Sequence, residues 1–287
     1  MYIKRLKRNF ELLDRPIAHK GIHGEKVRAN SIEAIKLAIK HNIPFEVDLV
    51  QTKDNIPVVY HDFAFKINNV SYKISDYTHK ELLALTNGYI YFPTLKEVLE
   101  QNYNLTPMLL DFKETSFIFM NKYRKIIVSL LENYTGEYAI QAFNPFFLLR
   151  MKKELKNALM GQLVCRGKTL VESFDFIETD SVGKLYEAVL SIICFISGTD
   201  YIGLEVYPSN RWNNKISKLI FERIDILQDT LVELTALVTK KPVLGWTVTS
   251  IDDLKIHPNF FKNYICDCNS DLTFFDKIEE LNKHNKP

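Results

Sequence analysis

The chain has 287 residues, and 37 Lys+Arg against 35 Asp+Glu leave a net charge of +2. With 46% hydrophobic and 25% charged residues, it can bury enough apolar surface to offset its ordering entropy, which excludes disorder as the dominant state. The near-neutral balance argues against a nucleic-acid binder, which carries a basic excess.

In chain order, apolar strand-like runs alternate with helical patterns, the mark of βα units. Strands are predicted at 16–19, 45–50, 107–113, 137–143, 158–164, 201–206, 242–248 and 263–268, with a further short run at 57–61. Helices are predicted at 31–41, opened by Ser31 or Asn30, then at 94–101, 117–133, 145–156, 184–196, 226–240 and 272–284, with a short one from Ser250. Eight strands alternating with helices close into an α/β fold, the (β/α)8 TIM barrel. An open doubly wound sheet would need a Gly-rich first turn, and Gly21-Ile22-His23-Gly24 is not one. Residues 63–92 break the alternation and read as a small insertion after the second strand, at the barrel mouth. The whole chain, 1–287, reads as a single domain.

The longest apolar run, 189–196, is far short of the roughly 20 residues that span a bilayer. The basic N-terminus lacks the apolar core of a secretory signal. Ile3, Leu6, Phe10 and Leu13 recur at helical spacing, which suits either a membrane-surface helix or a plug under the barrel; the plug is preferred. Cys165, Cys194, Cys266 and Cys268 have no disulfide-framework or zinc spacing. Reduced thiols in a cytoplasmic protein without stable membrane insertion are expected.

Four stretches carry chemistry. In Phe45-Glu46-Val47-Asp48-Leu49, strand alternation puts Glu46 and Asp48 on one face. Two inward carboxylates repel unless a cation joins them, and oxygen-only ligands favour Mg²⁺ or Ca²⁺; solvated acids on an edge strand are an equal alternative. His61, closing the run 57–61, stands where proton-transfer groups sit in this fold, and His19 does the same after the first strand. Each histidine taken singly reads as structural. Lys20 offers a cation beside His19, and Gly21 allows a sharp turn. Asp111 and Lys113 share a strand face, as an ion pair or as a third metal ligand beside a phosphate-binding cation. Glu205 faces inward if Ile202, Leu204 and Val206 face the helices, and would hold a polar head group or serve as a buried structural acid. Tyr201, Tyr207 and Trp212 lie nearby as pocket lining or core, and Arg166 and Lys168 sit on a mouth loop.

AHKG at 18–21, ANSIEAIKLAIKHN at 29–42, FEVDLVQTKDNIPVVYHD at 45–62 and LLDFK at 109–113 resemble the signature of the glycerophosphodiester phosphodiesterase family. That pattern runs H-R-G, P-E-N-T, E-x-D with a following H-D, then E-x-K. The likeness continues through 92–100, 140–154 and 243–250. It implies a (β/α)8 barrel with an insertion after the second strand, a divalent cation (Mg²⁺ or Ca²⁺) on Glu46, Asp48 and Asp111, and His19 and His61 as general acid and base. Lys20 and Lys113 would contact the phosphate of a small-molecule phosphodiester, and Trp246 would line the pocket. The implied reaction releases glycerol 3-phosphate, or another phosphomonoester, and an alcohol. The chain departs from the pattern at four places: Lys20 for Arg, Ala29 for Glu, Asp111 for Glu, and Cys266-Asp267-Cys268-Asn269 for a Thr-Asp-x-Pro ending. Two other readings stay open, a non-catalytic phosphodiester-binding barrel and a phospholipase-D-like activity on lyso-lipids.

Overall fold

In the computed structural model, which describes residues 10–113, 120–164, 198–206, 234–255, 260–267 and 271–284, the apolar runs pair edge to edge around a closed ring. The strands are β1 (Ile17–Ala18), β2 (Phe45–Gln51), β3 (Pro57–Val59), β4 (Ala64–Ile67), β5 (Val70–Lys73), β6 (Met108–Phe112), β7 (Tyr138–Ala142), β8 (Leu159–Val164), β9 (Tyr201–Glu205), β10 (Val243–Val248) and β11 (Asn263–Cys266). The main sheet runs β1-β11-β10-β9-β8-β7-β6-β2, all parallel, and β1 pairs with β2 to close it. This is the (β/α)8 barrel, with the outer helices α1 (Ile32–Lys40), α3 (Leu95–Asn102), α4 (Met120–Leu131), α5 (Pro145–Glu154) and α6 (Thr273–His284). The predicted helix 184–196 lies outside the described residues, as does most of 226–240, of which 234–239 is seen as helix.

The helices begin where side chains cap them. Ser31, not Asn30, caps α1, its hydroxyl accepting from Ala34 N–H. Asn144 accepts from the amides of Phe146 and Phe147 ahead of Pro145, which needs no partner at a helix start. Thr94 and Glu97 form a capping box on α3, an arrangement whose cap residue contributes about 1 kcal/mol.

The short run 57–61 becomes β3, which ends at Val59 and pairs antiparallel with the upper part of β2. Since β6 occupies the other edge of β2, β3 continues above β1 on the same edge. Between β3 and α3 the chain forms the hairpin β4–β5 and helix α2 (His79–Thr86), capped by Thr78 with Glu81. Phe65, Ile74, Leu82 and Phe92 bury against Val50 and Val58 there.

Side chains alternate in and out along each strand. Outward residues such as Val47, Leu110, Ile140 and Leu204 pack under the helices. Inward, Ile17, Leu109, Ala139, Leu159, Tyr201, Leu244 and Ile265 form an apolar floor. Leu12 joins that floor from a turn of 3₁₀ helix, Glu11–Leu13, with Asn263 Nδ2 donating to its carbonyl at 2.9 Å. The plug expected below the barrel is thus seen from Phe10 onward, although Leu12 rather than Leu13 is the fully buried residue; residues 1–9 lie outside the described part. Above the apolar floor, on the C-terminal side where barrel sites form, the inward residues include Glu46, Asp48 and Asp111.

Candidate active site

Three carboxylates meet above the floor. Glu46 and Asp48 alternate with the outward Phe45, Val47 and Leu49. Asp111 is Asp48's register partner on β6. One ligand oxygen from each lies within 4.8 Å of the others, and all three side chains are buried. Burial, then the neighbouring Asp48 and Asp111, pushes the Glu46 carboxyl well above its ordinary 4.5. Burial raises Asp111 as well, with Lys113 opposing. Burial would also raise Asp48, but the charges of Lys113, His61, Lys20 and His19 outweigh it and hold that carboxylate well below 3.8. Asp111 Oδ1 is buried and has no hydrogen-bond donor among the described residues. A hard divalent cation would satisfy that oxygen and relieve the repulsion, so the donor set fits one.

The groups that brace the triad, two lysines and a neutral amide, come from three segments. Lys113 Nζ lies 2.6 Å from Asp111 Oδ2 and 3.0 Å from Asp48 Oδ1. Burial disfavours its charge, yet Asp111, Asp48 and Glu46 raise its pKa far above 10.5. The Lys20 amide donates to Glu46 Oε2 at 2.8 Å, and its Nζ stands 3.9 Å from Asp48 Oδ2. Gly21 follows at φ +76°, where an added Cβ would lie 2.8 Å from the Ala34 carbonyl carbon; only glycine lets the β1 loop press so closely on α1. Asn30 Nδ2 donates to Asp48 Oδ2 at 2.7 Å.

His19 follows β1, its amide bonded to the Cys266 carbonyl. Its Nδ1 faces Asp267 Oδ2 at 3.7 Å, while His23 Nε2 approaches Asp267 Oδ1 at 3.4 Å. Burial lowers the His19 pKa below 6.5, with Asp267 opposing. His61 stands just past β3, half exposed, its Nδ1 2.7 Å from Asp62 Oδ1. The preceding Tyr60 amide donates to the Asp48 carbonyl at 3.1 Å, which ties this loop to β2. His61's charge reaches both Asp48 and Asp111.

Trp246 and Glu205 stand on the far wall, as register partners on β10 and β9. The Trp246 indole meets Phe143 edge-on at 6.1 Å. Its Nε1–H is buried without an acceptor among the described residues. Ile202, Leu204 and Val206 do face the helices, so Glu205 points inward. Arg166, Lys168, Tyr207 and Trp212 lie outside the described residues.

The model of the glycerophosphoryl diester phosphodiesterase family matches residues 19–189, more than half of the chain. The chain belongs to this family. Its reaction class is phosphoric diester hydrolysis, and glycerophosphodiesters are the substrate class. No curated protein matches by sequence. Among solved structures, a glycerophosphodiester phosphodiesterase from Parabacteroides distasonis is similar at TM-score 0.65 and 17% identity, over 93% of this chain and 96% of that one. One from Thermotoga maritima reaches TM-score 0.60 at 17% identity, covering 91% and 96%. An Oleispira antarctica phosphodiesterase in complex with the product sn-glycerol-3-phosphate reaches 0.58 at 16% identity, covering 93% and 98%. At these identities the likeness establishes the shared barrel.

Within this family member, the triad, both lysines and His19 converge, and His61 borders them. Trp246 and Glu205 belong to the opposite wall. Sequence reasoning missed two contributors. Asn30 reads as a helix cap, but its side chain turns to Asp48 instead; its place just before a serine that caps equally well was the available signal. His23 sits in a loop with no periodicity, and nothing in the sequence brings it to Asp267. No described helix is long and apolar enough to cross a membrane.

Proposed function

We propose that this chain hydrolyses glycerophosphodiesters with His19 and His61 as the proton-transfer pair and with a divalent cation, Mg²⁺ or Ca²⁺, held by Glu46, Asp48 and Asp111. The observation that carries this reading is the buried carboxylate triad with Asp111 Oδ1 lacking a donor. When bound, the cation neutralises charge on the triad and on the phosphodiester. Lys20 and Lys113 stand 3.9 Å and 3.0 Å from Asp48 oxygens and would hold the non-bridging phosphate oxygens; each is a point charge rather than a planar fork.

Burial favours neutral His19 at neutral pH, which suits a general base. With Nδ1 turned to Asp267, Nε2 would take the proton of the attacking hydroxyl as the new O–P bond forms. His61, its Nδ1 on Asp62, would then give a proton to the departing alkoxide as the old P–O bond breaks. A phosphomonoester and an alcohol leave. Trp246 and Glu205 would line the leaving-group side, the indole N–H supplying a donor. The hairpin and α2 fall within 63–92, which we read as an insertion at the mouth of a single 1–287 domain. A cytoplasmic setting follows the thiol reading above.

The test is glycerol 3-phosphate release from glycerophosphocholine and glycerophosphoethanolamine, in EDTA and then in Mg²⁺ or Ca²⁺. Release only with cation, lost in His19→Ala and in His61→Ala, is expected. Equal release in EDTA, or none with any cation, overturns the reading.

A further inference from the structure

The two oxygens of Asp48 are committed to different partners. Oδ2 accepts from Asn30 Nδ2 at 2.7 Å, and Oδ1 lies 3.0 Å from Lys113 Nζ. The Asp48 amide in turn donates to Asn30 Oδ1 at 3.1 Å. These two bonds fix the orientation of the Asn30 amide, because a carboxylate needs its NH₂ and a backbone N–H needs its oxygen. The backbone of Asn30 is itself held. It takes φ +56°, and its N–H donates to the Lys20 carbonyl at 3.0 Å. Lys20 adopts φ +58° and donates its own N–H to Glu46 Oε2 at 2.8 Å. The turn before α1 and the loop after β1 are therefore stitched to two of the three acids.

We infer that Asn30 is a positioning residue for the cation site: it fixes the plane of the Asp48 carboxylate and occupies Oδ2, so that Oδ1 is the oxygen offered to the cation. The inference rests on the triad being that site. The physical need is plain. The terminal torsion of an aspartate is broad and nearly two-fold, so an unrestrained carboxylate can exchange its oxygens. Lys113 cannot supply the restraint, since a flexible ammonium holds a point rather than a plane. The neutral Asn30 donor adds no charge that would compete with the cation. Lys113, the flexible point charge on Oδ1, is the partner a cation would displace. Ala29 stands next to Asn30 and offers no second carboxylate, which leaves the clamp to Asn30.

The test is calorimetric titration of the full chain with Ca²⁺ and Mn²⁺, together with turnover of glycerophosphocholine as a function of cation concentration. Asn30→Gly keeps the left-handed backbone and deletes the clamp; Asn30→Ser is the second variant should the first fail to fold. Asn30→Gly is expected to bind 10–100-fold more weakly, the usual effect of losing a residue that orients a metal ligand, with turnover restored at raised cation. A wild-type dissociation constant in Asn30→Gly, or a loss of turnover that no cation concentration restores, overturns the inference. If the wild type binds no cation, or if Glu46→Gln binds as the wild type does, the reading of the triad fails, and the inference with it.

Discussion

Lys113 Nζ donates to Asp111 Oδ2 across 2.6 Å, from a residue only two positions further along the chain. The lysine begins just beyond β6, and both side chains turn toward the barrel axis. Among the charges that favour ionised Asp48, its ammonium acts most strongly, ahead of His61, Lys20 and His19.

Lys113→Met should therefore act on stability before it acts on chemistry. Removing one partner of a buried ion pair leaves an uncompensated charge and typically costs about 3–5 kcal/mol. Urea unfolding in EDTA at pH 7 is expected to show a loss in that range. Saturating Mg²⁺ or Ca²⁺ should recover most of it, because binding to the folded state alone stabilises by mass action. A variant equally destabilised with and without cation would mean that Lys113 packs rather than compensates.

The triad also sets a pH dependence with a definite sign. Glu46 has a folded pKa raised well above 4.5, so its contribution is fully present below 4.5 and is lost as pH rises through the folded value. Asp48 has the opposite shift: its contribution is present above 3.8 and lost as pH falls through its depressed value. Between pH 4.5 and that raised folded value the metal-free protein thus keeps a proton on Glu46 that a cation must expel. Titration in buffers of differing ionisation heat should show proton release on binding and tighter binding as pH rises. In Glu46→Gln that release should fall, leaving only what Asp111, whose pKa burial also raises, supplies. Binding without proton release in the wild type would show Glu46 already ionised.

Asp267 bears on His19 by its charge, at 3.7 Å. Burial lowers the His19 pKa and Asp267 opposes it. The base form of His19 therefore persists below pH 6.5, and the acidic limb of kcat/KM should fall below that value. Asp267→Asn removes the opposing charge and should move the limb to still lower pH, with kcat reduced by roughly 10-fold or more because the ring loses its orienting neighbour. A limb moved upward, or one unmoved while His19→Ala is inactive, would assign the proton transfer elsewhere.

Much of this architecture is legible in residues alone, and the reasons differ by element. Period-two alternation in Phe45–Gln51 fixes which way Glu46 and Asp48 face, because the neighbours they alternate with are large and apolar. The same logic turns Glu205 inward. Asp111 follows once β6 pairs with β2 in parallel, since the register puts it beside Asp48. Periodicity says nothing about loops. Asn30 and Ser31 are equivalent as caps, and only the approach of β2 to the turn decides which side chain is spent on the helix and which on Asp48. His23 reaches Asp267 across 244 positions (267 − 23) through the β1–β11 closure, a contact that no local pattern encodes. The hairpin at Ala64–Lys73 escaped notice because its outer face is exposed and polar. Val70, Ser71 and Lys73 face solvent, while Tyr72 joins Phe65 and Ile67 of the partner strand in packing inward.

The floor beneath the acids depends on a missing side chain. Gly161 on β8 faces Tyr201 on β9 in register, and a Cβ added there would lie 2.0 Å from Tyr201 Cζ and 2.4 Å from its hydroxyl. The ring is fully buried among Leu109, Ala139, Leu159 and Leu244, and its hydroxyl donates to Gln141 Oε1 at 3.3 Å. Gly161→Ala should therefore cost at least the ~1–3 kcal/mol typical of overpacking, measured by urea unfolding. Because contact residues couple, the same substitution made in a Tyr201→Leu background should be less costly by about 1 kcal/mol or more. Additive losses in that double-mutant cycle would mean that the glycine is required by its own backbone and not by the ring it faces.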